Sequence, residues 1–409
     1  MKILYVHYKE PNYRPGGMEV HIASSTEALR SLGHTMQVLP MLGETRRGST
    51  DGQASRSRGA LRRQIGRFVF QPRCFGRLPQ RWRKLHAAIR AFRPDVLLVR
   101  YSPFEWAEFL LARTLGLPLV LEVNATSFEI RQWKSAEIFL YPFTTQVETS
   151  ILRTADGVLV VSDGLKRLLV EQGLPAELIT VNPNGADPER FMPDARAPEL
   201  RRQLGLDGAV VVGFIGSFAR WHDLATIFSI VPDLVRDNSN VRFLFAGGDL
   251  NDVQPELQAR LCGVEDKVVF TGPFEPAQAP QFLAAMDIGL TLFPRIEPFN
   301  ASVVKQFEYM AAGKAIVATA IGQQAQLIVD GVNGLLVPPG DTDAVRRKVQ
   351  QLVDDTELRQ RLGAAARQFL VGNYTWKHNA QRIAEVCEHA LRRQSRRADK
   401  LREPSLPIA

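Results

Sequence analysis

Cysteine is scarce: Cys74, Cys262 and Cys387 are the only three in 409 residues, and they lie far apart. No CxxC pair or Cys/His cluster offers metal-ligand spacing, and three is a poor number for a disulfide framework. No metal and no cofactor are therefore expected, and the compartment expected is the reducing cytoplasm. No apolar run approaches the roughly 18 residues of a membrane-spanning helix. The opening Met1-Lys2-Ile3-Leu4-Tyr5-Val6-His7-Tyr8 turns polar too early for a signal peptide. Acid is locally scarce too: residues 46–93 carry fourteen Lys/Arg against one carboxylate, Asp51.

What remains is an ordinary globular balance, 45% hydrophobic and 23% charged, with a net charge of +8. That excess favours an anionic partner without choosing among nucleotide, nucleic acid and membrane. The length suggests two domains or three. Short apolar, β-branched runs recur at Lys2–Tyr8, Met36–Met41, Asp95–Tyr101, Pro118–Asn124, Gly157–Ser162 and Ile179–Asn182. A second series follows at Val210–Gly216, Val241–Gly247, Val268–Thr271, Ile288–Phe293, Ala315–Thr319 and Gly334–Val337. Strands apolar on both faces and separated by helical stretches predict parallel sheets of the α/β class.

The two series predict two doubly wound, Rossmann-like domains facing a central cleft, the usual place for a ligand. The expected division is an N-terminal domain over 1–190, a Pro-containing linker over 191–208 and a C-terminal domain over 209–372. A helix over 373–392, with Ile383, Val386 and Leu391 among its apolar positions, and a basic tail over 393–409 complete the chain.

Gly16-Gly17 lies between the first strand and a helix predicted over Met18–Leu32. Glycines there let backbone approach a ligand, and the helix N-terminus behind them suits phosphate; a tight turn alone would also use them. Gly216-Ser217 through Trp221-His222 is the counterpart after the first strand of the second series. There Arg220 and His222 are candidates to face phosphate oxygens, although a histidine at a helix start also serves packing. Val181–Phe191 reads mainly as an interdomain turn.

The most informative stretch is Asn300-Ala301-Ser302-Val303-Val304-Lys305-Gln306-Phe307-Glu308. Lys305 and Glu308 are i,i+3 neighbours, which on a solvated helix would make a surface ion pair. Here Val303, Val304, Phe307 and Met310 leave little room for a solvated face, and Asn300-Ala301-Ser302 reads as a helix start. A cation one turn in can neutralise phosphate, and a carboxylate one turn further can accept two hydrogen bonds from a vicinal diol such as ribose.

Taken together, Gly16-Gly17-Met18-Glu19, Glu122-Val123-Asn124-Ala125, Pro183-Asn184-Gly185-Ala186-Asp187, Ile215-Gly216-Ser217 through Trp221-His222, Ala246-Gly247-Gly248 and Lys305–Ala311 resemble the GT-B glycosyltransferases of the retaining GT4 family (glycosyl transferases group 1) over nearly the whole chain. Each motif alone is common; their order and spacing are specific. The resemblance implies a nucleotide-sugar donor bound by the C-terminal domain and a glycan or lipid-linked acceptor bound by the N-terminal one. It implies a retaining hexosyl transfer in which Lys305 and Arg220 neutralise the departing diphosphate and Asn124, with Glu122, orients acceptor or sugar. Arg100, closing the third strand, is a further candidate. Gly16, Gly17, Gly216, Ser217, His222, Asn300, Ser302, Val303, Val304 and Glu308 complete the implied donor site. Many members carry a glutamate where this chain has Asn300, and cations in the loop where it has Ser217 and His222. A sugar-nucleotide epimerase and a non-catalytic sugar-nucleotide binder are the alternatives.

Within Leu78–Phe92, Trp82, Leu85, Ile89 and Phe92 share one helical face while Arg81, Arg83, Lys84 and Arg90 fill the others. Upstream, Arg62, Arg63 and Arg67 flank Leu61, Ile65 and Phe68. No aromatic stacking platform accompanies this charge, so no nucleic acid is expected. The expected partner is an anionic membrane surface on the cytoplasmic leaflet.

Overall fold

The computed structural model describes residues 1–9, 16–42, 76–102, 106–134, 141–193, 197–219 and 221–402. Arg62, Arg63, Arg67 and Arg220 lie outside the described residues. The chain forms two compact units: Met1–Arg14, Ser25–Pro183 and Ala380–Ala409 in the first, Pro15–Ser24 and Asn184–Asn379 in the second.

The first unit holds a six-stranded parallel sheet of β1 (Lys2–Lys9), β2 (Thr35–Leu42), β3 (Val96–Arg100), β4 (Leu119–Val123), β5 (Gly157–Val160) and β6 (Ile179–Val181), in the order β2-β1-β3-β4-β5-β6. The second holds β7 (Val210–Ile215), β8 (Val241–Ala246), β9 (Val268–Phe270), β10 (Ile288–Thr291), β11 (Ala315–Thr319) and β12 (Leu335–Val337), in the order β12-β11-β10-β7-β8-β9. Every pairing is parallel, for example Ile3 opposite Val96 and Val317 opposite Leu335. Each expected strand is present, because runs buried on both faces need helices on both sides. The two sheets are the cores of two Rossmann-like domains.

Strand order decides where a ligand can sit. In the second sheet the order reverses between β7 and β10, and the crevice outside the carboxyl ends at such a switch is the favoured ligand position. A glycine brings the layers close there. Gly289 in β10 leaves room for the Tyr309 ring, and a Cβ would lie 2.7 Å from it. The Tyr309 hydroxyl then accepts the Ile215 N–H at 2.9 Å, which pins the Val304–Ala311 helix to the end of β7. Val212, Phe214, Ile227, Phe228, Val317 and Val349 fill one side of this sheet, and Met286, Phe307, Met310, Ile316 and Leu370 the other. Each such burial contributes about 1.5–3 kcal/mol.

Three segments differ from expectation. Residues 191–208, read as a linker, contain a helix at Pro198–Gln203 and the fully buried Leu206. The last helix begins at Trp376 and runs to Arg402, ten residues past the expected end, because the basic tail is rich in helix formers and reaches proline only at Pro404. Its Val386 packs against Gly157 in β5 within the first unit, where a Cβ would lie 2.5 Å from the valine side chain. Finally, Arg81 is buried rather than solvated: its guanidinium lies 5.2 Å from the Tyr8 ring centroid, and its charge acts on buried Glu108. No helix among the described residues is long and apolar enough to cross a membrane.

Candidate functional site

Gly216 follows β7 with φ +123°, a conformation that L side chains rarely adopt. A Cβ at this position would lie 3.1 Å from the Lys305 Nζ, so glycine is what lets backbone and ammonium approach. Gly247 (φ +106°), after β8, backs the same turn: its Cβ would lie 2.9 Å from the Gly216 carbonyl oxygen. The loop after β7 returns at Asp223, whose N–H donates to the Leu292 carbonyl at 3.0 Å beyond β10. Loop and helix therefore meet at the switch point.

The Val304–Ala311 helix starts two residues after Ser302, with Val303 as its cap and no side-chain hydrogen bond from that cap. The Val304 and Lys305 N–H groups precede the first intrahelical bonds, as at any helix start, while the Gln306 N–H donates to the Val303 carbonyl at 3.1 Å. Lys305 is only 8% exposed. Its Nζ lies 3.4 Å from His222 Nε2 and 3.6 Å from the Phe214 ring centroid. Burial holds this ammonium well below the usual lysine range, with Glu308 opposing the shift. His222 packs edge-on to Phe214 and tilted against Phe293, and its Nδ1 meets no hydrogen-bond partner among the described residues. Burial first, and the Lys305 charge second, keep it well below the usual histidine range. Glu308 is equally buried; its carboxyl is pushed up to about 7 by burial, against the pull of Arg190 and Lys305. Two basic groups thus touch in a partly apolar corner without a carboxylate between them, an arrangement that an incoming anion would stabilise.

Asn300 is buried just upstream, and Ser217 is exposed at the mouth of the β7 loop. Ser302 is held by Asn184: the Asn184 N–H donates to the serine hydroxyl at 3.0 Å and its side-chain amide to the serine carbonyl at 2.8 Å. Gly16 caps the Gly17–Ser31 helix, and its N–H donates back to Glu19 at 3.0 Å, half of a capping box. Gly17 faces Val304, where a Cβ would lie 3.4 Å from the valine Cγ2. Asp341-Thr342-Asp343 has metal-like Asp-x-Asp spacing, but Asp341 caps its helix by accepting from the Ala344 N–H at 2.8 Å.

In the first unit the Glu122 carboxylate, at the end of β4, is buried. It accepts from the Tyr5 hydroxyl at 2.7 Å, from Asn124 Nδ2 at 2.8 Å and from the Arg100 guanidinium. Arg100 is therefore tied to a buried carboxylate rather than merely solvated at its strand end.

The Glycosyltransferase Family 4 model matches residues 15–190, and the Glycosyl transferases group 1 model matches residues 197–369. The chain belongs to the GT4 glycosyltransferases. The 2-deoxystreptamine glucosyltransferase of Streptomyces kanamyceticus is 27% identical over 388 residues, covering 89% of this chain and 96% of the relative. The glycogen synthase of Mycobacterium tuberculosis is 25% identical over 425 residues, covering 100% and 98%. Among solved structures, Anabaena Alr3699/HepE in complex with UDP-glucose matches with TM-score 0.70 at 19% identity over 95% of this chain and 99% of that one. This likeness is one of fold, GT-B.

Seen as a GT4 chain, the residues gather into clusters. Gly216, His222 and Lys305 meet directly, with Glu308 one turn on; Gly17, Ser302, Val303 and Val304 form the adjoining turn; Asn124 belongs to the Glu122 network of the other unit. Sequence reasoning passed over His21 and Asn184 as partners of the Ser302 turn and Phe214 as the ring beneath Lys305. The Asn184 turn motif was visible, but only its chain-reversing chemistry was read.

Proposed function

We propose that the chain moves a hexosyl group from a nucleotide-sugar donor to a glycan or lipid-linked acceptor, with retention of configuration and without a metal. The observation that carries this is the contact of buried Lys305 with His222 and Gly216 at the second sheet's switch point. Lys305, Arg220 and the amides of Ser302–Val304 take the diphosphate, and Glu308 takes the ribose diol. Gly16, Gly17 and Gly216 admit the phosphates closely, Ser217 and His222 line the loop, and Asn300 stands where the donor sugar is contacted.

The chemistry follows from charge. Breaking the bond between anomeric carbon and phosphate builds positive charge on the sugar ring and negative charge on the leaving diphosphate. Pre-placed cations and amides stabilise the latter without reorganisation. The leaving phosphate oxygen takes the acceptor's proton, so the acceptor attacks the face just vacated and configuration is retained. Asn124, held by Glu122, orients acceptor or sugar.

A screen of nucleotide sugars and nucleoside diphosphates by thermal shift tests the donor; saturation at about 100 times the dissociation constant adds about 2.7 kcal/mol. Turnover surviving EDTA supports the metal-free route, and full loss restored by magnesium or manganese defeats it. Sugar rearranged without any acceptor would identify an epimerase instead. Binding without turnover would identify a non-catalytic binder.

A second reading concerns location. Arg83, Lys84 and Arg90 are exposed on the Leu78–Phe92 helix, and none pairs with a carboxylate among the described residues, consistent with docking on an anionic cytoplasmic leaflet. Co-sedimentation with anionic but not neutral liposomes, lost in high salt or when Arg62, Arg63 and Arg67 become Ser, is the expected result.

A further inference from the structure

Asn184 belongs to a turn whose sequence needs no more than chain reversal. Its side chain does something else. The amide nitrogen donates to the Ser302 carbonyl at 2.8 Å, while the backbone N–H of the same residue donates to the Ser302 hydroxyl at 3.0 Å. A carbonyl can only accept, so the side-chain nitrogen must face Ser302 and the side-chain oxygen must face the other way. There it meets His21 Nδ1 at 2.7 Å. The oxygen can only accept, so His21 carries its proton on Nδ1. His21 and Asn184 are both buried. The histidine lies one turn into the Gly17–Ser31 helix and is backed edge-on by Trp376, with ring centroids 5.5 Å apart.

Both polar groups of Ser302, hydroxyl and carbonyl, are thus held from one side. Ser302 stands one residue before the Val303 cap and three before Lys305. The Val303 cap supplies no side-chain hydrogen bond to the first turn of that helix, so the bonds from Asn184 to Ser302 hold the chain that leads into it.

We propose that His21 and Asn184 are positioning residues that orient the Ser302–Val304 turn for the diphosphate of the nucleotide donor. The inference rests on the donor reading above and deepens it: the Gly16-Gly17 segment contributes a histidine that sets the anion-facing turn through Asn184, in addition to any direct approach of its glycines. The contribution is geometric. A fixed carbonyl and hydroxyl keep the adjoining amides aimed before the ligand arrives, which spares the ordering cost on binding.

The test separates diphosphate from nucleoside. Wild type, Asn184→Asp, Ser302→Ala, His21→Leu and His21→Gln are titrated calorimetrically with UDP, ADP, GDP and dTDP and with the matching nucleosides. Asn184→Asp sets an oxygen against the Ser302 carbonyl; its affinity for the nucleoside diphosphate should fall at least tenfold while that for the nucleoside stays within twofold. His21→Leu should show the same split, and His21→Gln, which keeps an N–H donor, should recover most of it. Ser302→Ala removes one of the bonds and keeps the question decidable if Asn184→Asp does not fold. Equal losses for nucleoside and diphosphate, or no loss in any variant, would overturn the positioning role. A wild-type protein that binds none of the diphosphates would instead bring down the donor reading, and this inference with it.

Discussion

In the first unit, the buried carboxylate of Glu122 takes bonds from Tyr5, Asn124 and Arg100, so its charge is matched and its lone pairs are used. In the second, Lys305 and His222 stand 3.4 Å apart, both pushed toward their neutral forms by burial. A closed network costs little to keep and much to break. An open pair of like-signed groups costs stability at rest and gains when an anion enters. Buried ionisable side chains therefore form a closed network in one unit and, on the donor reading proposed above, an anion site in the other.

The sharpest way to break this comparison is Lys305→Met. If the ammonium neutralises the leaving diphosphate, turnover should drop by about 10²–10³-fold, and nucleoside diphosphate affinity should weaken by about 1.5–3 kcal/mol. The folded protein should become more stable, because an uncompensated buried amine is gone. Steady-state kinetics, calorimetry and urea unfolding on one preparation decide it; unchanged affinity would return Lys305 to a packing role.

Glu122→Ala should behave in the opposite way. Removing the carboxylate strands Arg100, whose side chain is 16% exposed, and should cost about 3 kcal/mol in urea unfolding. Nucleoside diphosphate affinity should stay unchanged, and an equal loss of affinity would erase the distinction between closed network and anion site.

A pH series sharpens it further. Burial pushes the Glu148 carboxyl up to about 7, although it accepts from the backbone and hydroxyl of Ser127. A raised carboxyl pKa gives stability that is present below about pH 4.5 and is lost as pH rises through about 7. Glu148→Gln, which still offers Ser127 an acceptor, should thus be more stable than wild type by about 1–3 kcal/mol at pH 8 and nearly equal at pH 5. In the second unit the sign runs through binding: diphosphate needs protonated Lys305, whose pKa is depressed by burial, so affinity should fall with rising pH before an ordinary lysine would lose its proton, and vary less in Lys305→Met. Parallel pH slopes in the two proteins would contradict this.

The smallest effect concerns the surface. Changing Arg83 and Arg90 to Ser should weaken binding to anionic liposomes by about 1 kcal/mol per residue at low salt, with turnover on a soluble acceptor unaltered. Retained co-sedimentation would remove this helix from the membrane reading.

Much of the candidate site was legible along the chain. Lys305 and Glu308 could be read as one buried helix face because Val303, Val304, Phe307 and Met310 surround them in sequence, and both are buried. The glycine turns were legible because Gly216 and Gly247 close β-branched and aromatic strands. Arg81 was misread because helical periodicity places it off the apolar stripe, whereas Tyr8 and Glu108 come to it from other elements. The partners of Asn184 were illegible for the same reason: Ser302 is 118 residues away and His21 is 163.

By itself the sequence determined the twelve strands found among the described residues, their parallel α/β character and the presence of a cation and a carboxylate on one helix, since these depend on local hydrophobic pattern and spacing. Only the tertiary structure decided which charges lose their water and which polar atoms answer each other. Desolvation is set by neighbours distant in the chain: Phe214 and His222 pack against the Lys305 ammonium, and Tyr5 with Arg100 donates to the Glu122 carboxylate.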